Sequence, residues 1–123
     1  MNPSEPDLRI RLRTELTRAM KHRDRLATAA LRSAIAAIDS AEAVPVAQTP
    51  SAEAGPIAGA VAGLGTAEVP RRDLTARDVV AVIESEIAER RLAAVEIEEA
   101  GRPERAAELR REAETLESVL RSA

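Results

Sequence analysis

One uninterrupted helix signal runs from Leu74 to Gly101, and it limits the chain to folds that can flank a rod of that length. Thr75 precedes Asp78 by three residues, so the threonine hydroxyl can accept from the free amide of the third helical residue while Asp78 faces the positive helix start. Leu74 and Val79 bracket this start as a hydrophobic staple. Gly101 closes the run, because a residue without Cβ enters the left-handed conformation at little steric cost. At about 1.5 Å per residue, the stretch from Thr75 to Ala100 spans roughly 39 Å. The spacing predicts a helix over 75–100.

Three shorter helices are predicted around it, over about 6–21, 24–42 and 103–121. In the first, Leu8, Leu12, Leu16 and Ala19 share a face, with Met20 at its border. Asp24 is a candidate cap for the second, whose narrow stripe is Ala27, Ala30, Leu31, Ala34, Ile35, Ile38 and Ala41. Its alanines allow another helix to approach closely. Pro103 suits the first turn of the last helix, where a missing amide costs nothing. Ala106, Leu109, Ala113, Leu116 and Leu120 then alternate spacings of three and four, the pattern of a seam against a nearly antiparallel neighbour. Residues 44–73 read differently. Four prolines, four glycines and no basic residue before Arg71 predict a flexible linker there. The fold class expected is all-α: a small single-domain bundle of about four helices, in two hairpins joined by a Pro/Gly/Ala-rich linker.

Composition narrows what such a bundle can do. Among 123 residues there is no Phe, Tyr or Trp, so the core must be built from Leu, Ile, Val and Ala, each large aliphatic side chain contributing about 1.5–3 kcal/mol. Without an aromatic side chain to stack on an unpaired base, sequence-specific single-strand recognition is disfavoured. There is no cysteine, hence no disulfide, thiolate nucleophile or thiolate metal site. His22 is the single histidine, which excludes a His-based triad and the paired Glu-x-x-His motifs of a helical di-metal site. No catalytic residue, metal or cofactor is expected. The polar amino terminus and the lack of an apolar run of about 20 residues predict a cytoplasmic protein with no membrane partner.

Charge is polarised. The net value is −3, yet residues 1–43 carry eight basic against six acidic side chains, whereas residues 71–123 carry ten against thirteen. Arg11, Arg18, Arg25 and Arg32 recur every seven residues, and Lys21, His22 and Arg23 sit where the first helix gives way to the second. Such a stripe can face phosphates, or it can be a solvated face interrupted by the helix break and diluted by Glu15, Asp24 and Asp39. The acids Glu96, Glu98, Glu99, Glu104, Glu108, Glu112, Glu114 and Glu117, interspersed with arginines, are expected on exposed helix positions. Glu86 and Arg90 are the least expected pair. At about 100° per residue they fall in the middle of the apolar face formed by Val79, Val82, Ile83, Ile87, Ala93, Ala94 and Ile97. Three readings are open: a surface pair whose arginine stem extends to water, a pair presented to a partner, or a pair that spans the core and fixes helix register.

The segments LTRAMKHRD (16–24), ALRSAIAAI (30–38), DLTARDVVAVI (73–83), EIAERR (86–91) and EAGRPE (99–104) occur in this order. Together they resemble the YqeY-like family, related to the tail domain of the GatB subunit of the tRNA-dependent amidotransferase. The match covers both hairpins. The family's characteristic positions fall on Ala19, Met20, Lys21, Arg23, Asp24, Leu31, Arg32, Glu86, Arg90, Gly101 and Arg102. Two departures stand out: the family usually continues into a second small helical domain, and its connection between hairpins is shorter. The resemblance implies a non-catalytic helical module associated with tRNA or with a subunit of an amidotransferase, a carbon–nitrogen ligase with glutamine as amide donor. Arg18, Lys21, Arg23, Arg25, Arg32, Glu86, Arg90 and Arg102 are the contacts expected. A module that binds other proteins or self-associates through its helical seams is the alternative.

Overall fold

The computed structural model describes residues 5–43 and 73–122, and among them every regular element is a helix. The order is α1 (Glu5–Lys21), α2 (Arg25–Ala43), α3 (Ala76–Glu99) and α4 (Pro103–Ser122). These bounds lie within a residue or two of the predicted ones. The expected linker over 44–73 lies, apart from Asp73, outside the described residues. The chain divides into two units, residues 1–38 with 74–123 and residues 39–73. All that follows concerns the first unit.

Both helix pairs turn in the same way. At the end of α3 the Gly101 amide donates to the Glu98 carbonyl and the Arg102 amide to the Ile97 carbonyl, each at 3.0 Å, with Gly101 at φ +86°. This is a Schellman closure, in which a left-handed residue lets two amides satisfy the last carbonyls of the helix. At the end of α1 the Arg23 amide donates to Met20 and the Asp24 amide to Ala19, with Arg23 at φ +54°. An arginine there accepts the conformation that glycine supplies at the other turn. Asp24 then caps α2 by accepting from the Ala27 amide at 3.0 Å, as expected from its position. At the start of α3, Thr75 and Asp78 cap each other's backbone amides reciprocally, at 3.1 and 2.9 Å.

The core follows the predicted stripes. Leu8, Leu12 and Ala19 of α1, Ala27, Ala30, Leu31, Ala34 and Ile38 of α2, and Val79, Ile83 and Ile87 of α3 form one buried cluster with Ala113, Leu116 and Val119 of α4. In the last helix Val119 takes the buried seam position, whereas Leu120 is only half-buried. Ala94, Ala106 and Leu109 form a second, smaller cluster to which only α3 and α4 contribute. Seven of the seventeen buried apolar residues among those described are alanine, so the helices approach closely around a thin core.

Candidate nucleic-acid interface

The α1–α2 turn gathers most of the exposed basic side chains that the sequence singles out. Arg18 and Lys21 occupy the last turn of α1, Arg23 holds the left-handed position, Arg25 begins α2, and Arg32 lies two turns further on. All five are exposed. The helix break splits the heptad of arginines into two groups. Arg25 and Arg32, with Arg23, line a groove that also contains Met20, Thr28 and Ala29. Arg18 and Lys21 border a second one with Thr14, Thr17 and His22. Neither lining contains an acidic residue. Arg11 and Arg18 face a third, larger groove of about 790 Å³ whose far wall is the C-terminal half of α4, with Arg111, Glu114 and Thr115.

Two of these cations are already partly engaged. Arg25 donates to Glu108 of α4 at 2.9 Å and Arg18 lies 3.5 Å from Glu15, though both guanidinium side chains remain more than half exposed. The Arg32 guanidinium rests 3.8 Å from the Met20 sulfur. Lys21 and Arg23 have no ion-pair partner among the described residues. Exposed cations with weak internal pairing keep most of their hydration and can exchange it for phosphate oxygens.

Arg102 stands apart from this group. The Arg25–Glu108 contact sets the α1–α2 turn against the second turn of α4. Arg102 lies six residues before Glu108, roughly 9 Å further along at 1.5 Å per residue, at the tip of the α3–α4 hairpin.

Glu86 and Arg90 point inward. Arg90 donates through Nη1 to the Glu86 carboxylate at 2.9 Å and through Nε to Glu112 at 2.9 Å, while the Ser33 hydroxyl of α2 donates to the same Glu86 oxygen at 2.6 Å. The chain of contacts continues outward: Arg105 lies 3.6 Å from Glu112 and 3.0 Å from Glu108, which accepts from Arg25. Three helices are thereby joined by alternating charges running from the core to the basic turn. Glu112, expected on an exposed position, is instead 5% exposed and is the buried charged residue among those described. The reason is register: Glu112 stands three residues after Leu109 and four before Leu116, on the seam itself. Glu108 and Glu117, likewise expected to be exposed, are half-buried because Arg25 with Arg105, and Arg91, draw them against the bundle. No buried side-chain nitrogen or oxygen among the described residues lacks a hydrogen-bond partner.

Sequence reasoning missed Ser33, Arg105 and Glu112 as members of this network. Glu112 carried a signal, a carboxylate at seam spacing; Ser33 carried none beyond its place beside the α2 stripe. Arginine beside Glu108 and Glu117 holds both carboxyls below their ordinary value, against the opposing effect of partial burial. No group of three metal-capable side chains converges among the described residues, and none of their helices is long and apolar enough to cross a membrane. Compared with known protein families, with curated proteins and with solved structures, the chain matches none of them.

Proposed function

We propose that the chain is a non-catalytic helical module that holds RNA by its phosphates through the α1–α2 turn. The observation that carries this reading is the pair of grooves lined by Arg18 and Lys21, and by Arg23, Arg25 and Arg32, neither of which contains an acid. A chain with net charge −3 gains nothing from bulk attraction to a polyanion, so a local basic surface must supply the affinity. The absence of aromatic side chains favours contact with backbone phosphates over stacking on bases. The resemblance to the YqeY-like proteins points to tRNA as the RNA, and to an accessory role beside a tRNA-dependent amidotransferase in the cytoplasm. Within that reading Arg18, Lys21, Arg23, Arg25 and Arg32 are the contacts. Arg102 adds a separate one at the hairpin tip, and Glu86 and Arg90 act by holding the helices that carry the turn.

Binding of bulk tRNA at two salt concentrations tests the proposal. Affinity should fall steeply with salt, because each neutralised phosphate releases counterions. No binding at the lower salt concentration removes it.

A further inference from the structure

Four large apolar side chains are exposed on the described helices, and they lie on two of them only. Ile10 (63% exposed) lies on the outer face of α1, with Met20 (50%) at its border toward α2, and Leu92 (62%) and Val95 (48%) lie on the outer face of α3. The surroundings of the two pairs have opposite charge. On α1, Arg13 and Lys21 project between and beside the apolar residues, with Thr14 and Thr17 completing the surface and Asp7 at its N-terminal edge. On α3, Ala81, Ser85, Ala88, Leu92 and Val95 recur at spacings of four and three, all exposed. Glu84, Glu89, Glu96 and Glu99 flank them, and none of these four has an ion-pair partner among the described residues. Alternating four and three is the spacing of a seam for a second helix, and the small residues at 81, 85 and 88 leave room for larger ones opposite.

We infer that the outer face of α1 in one molecule docks on the outer face of α3 in a second copy of this chain. Charge sign matches, because a basic face meets an acidic one, and Ile10 meets Leu92 at the centre. Laid antiparallel with Ile10 opposite Leu92, the two helices bring Arg13 opposite Glu89 and Thr17 opposite Ser85, with Lys21 within a turn of Glu84. An antiparallel contact of α3 with α3 centred on Leu92 would instead set Glu89 beside Glu96 of the other copy. The docked faces differ, so the contact is heterologous. It stands independently of RNA binding, since Ile10, Arg13, Leu92 and Val95 lie outside the basic turn; Met20 and Lys21 are shared, so RNA and a second copy compete for the end of α1.

Sedimentation of the RNA-free protein across about a hundredfold range of concentration tests the inference. The average mass should rise above the 13.1 kDa of one chain as concentration increases. A 13.1 kDa species throughout overturns it. Ile10→Glu and Leu92→Glu should each weaken association at least about tenfold. Unchanged association in either assigns it to another surface and overturns the inference. Charge reversal supplies the stricter arm. A chain carrying Arg13→Glu with Lys21→Glu, and another carrying Glu84→Lys with Glu89→Lys, should each remain single molecules yet associate when mixed, because mixing restores opposite charge at both contacts. Failure to associate on mixing, with helical circular dichroism intact in both, sinks the idea.

Discussion

Arg90 of α3 and Glu112 of α4 meet at 2.9 Å inside the bundle, with the Glu86 carboxylate on the other side of the guanidinium. The pair is not at the domain edge, and the arginine stem does not carry its charge to water. Removing one partner leaves the other charge buried with its lone pairs or protons unmet, which costs about 3–5 kcal/mol in interiors of this kind. Arg90→Ala and Glu112→Ala should therefore each lower the unfolding free energy by about 3 kcal/mol in urea denaturation. Replacing Glu86, Arg90 and Glu112 together by apolar residues of similar volume should recover most of that loss, because no charge is then stranded. A triple variant as unstable as the single ones would show that the network is worth far more than its desolvation.

The two helix turns make opposite predictions for the same kind of change. Gly101 sits at φ +86° with nothing within 4 Å of the place a Cβ would occupy, so Gly101→Ala meets no clash and costs only the left-handed conformation, about 1 kcal/mol. Arg23 already bears that cost at φ +54°. Arg23→Gly should leave stability unchanged or raise it by up to about 1 kcal/mol, the relief being offset by the greater freedom of glycine in the unfolded chain. Thermal unfolding of the two variants side by side checks the contrast. If Arg23→Gly destabilises as much as Gly101→Ala, the arginine side chain holds the turn by contacts of its own.

How far the fold could be read depends on which interaction places each residue. The four helices and their stripes were legible because burial repeats at helical spacing, and caps such as Thr75 and Asp24 are local. Glu86 and Arg90 were legible as anomalies for the same reason. Their partners were not: Glu112 and Ser33 come from helices whose rotation about their axes is fixed only when four stripes pack together. Arg23 as a left-handed residue was illegible too, since its conformation follows from the Schellman closure and not from any preference of arginine. The grouping of Arg23, Arg25 and Arg32 into one groove depends on that turn, which the seven-residue spacing of the arginines does not specify. The residues that reach between helices were the ones sequence could not assign.

Acid should weaken the ion pairs at the rim of the bundle. Arg25 and Arg105 hold the Glu108 carboxyl below its ordinary value of 4.5, and Arg91 does the same for Glu117. The unfolded chain therefore binds more protons than the folded one as pH falls, so the stability these pairs contribute is complete above the ordinary carboxylate value and lost as pH drops through the lowered folded values. Glu108→Gln with Glu117→Gln should be less stable than the parent at neutral pH and should lose less on going from about pH 5 to about pH 3. Urea midpoints measured at several pH values in that window compare the two slopes. Parallel slopes would mean that other carboxylates govern the acid response.

The division between turn and network separates two effects of arginine removal on RNA binding. Arg23→Ala and Arg32→Ala take a cation from an acid-free groove without touching the core, so each should weaken tRNA binding uniformly across sequences and reduce the steepness of its salt dependence by about one unit. Arg90→Ala should do the reverse. Its guanidinium is held between Glu86 and Glu112, so its loss should appear in stability, while the fraction of molecules still folded binds tRNA with the parent's salt dependence. Filter binding over a range of salt, with the folded fraction measured on the same samples, distinguishes these outcomes. A lowered salt slope for Arg90→Ala would place that arginine among the phosphate contacts after all, and an unchanged slope for both Arg23→Ala and Arg32→Ala would move the RNA away from the α1–α2 turn.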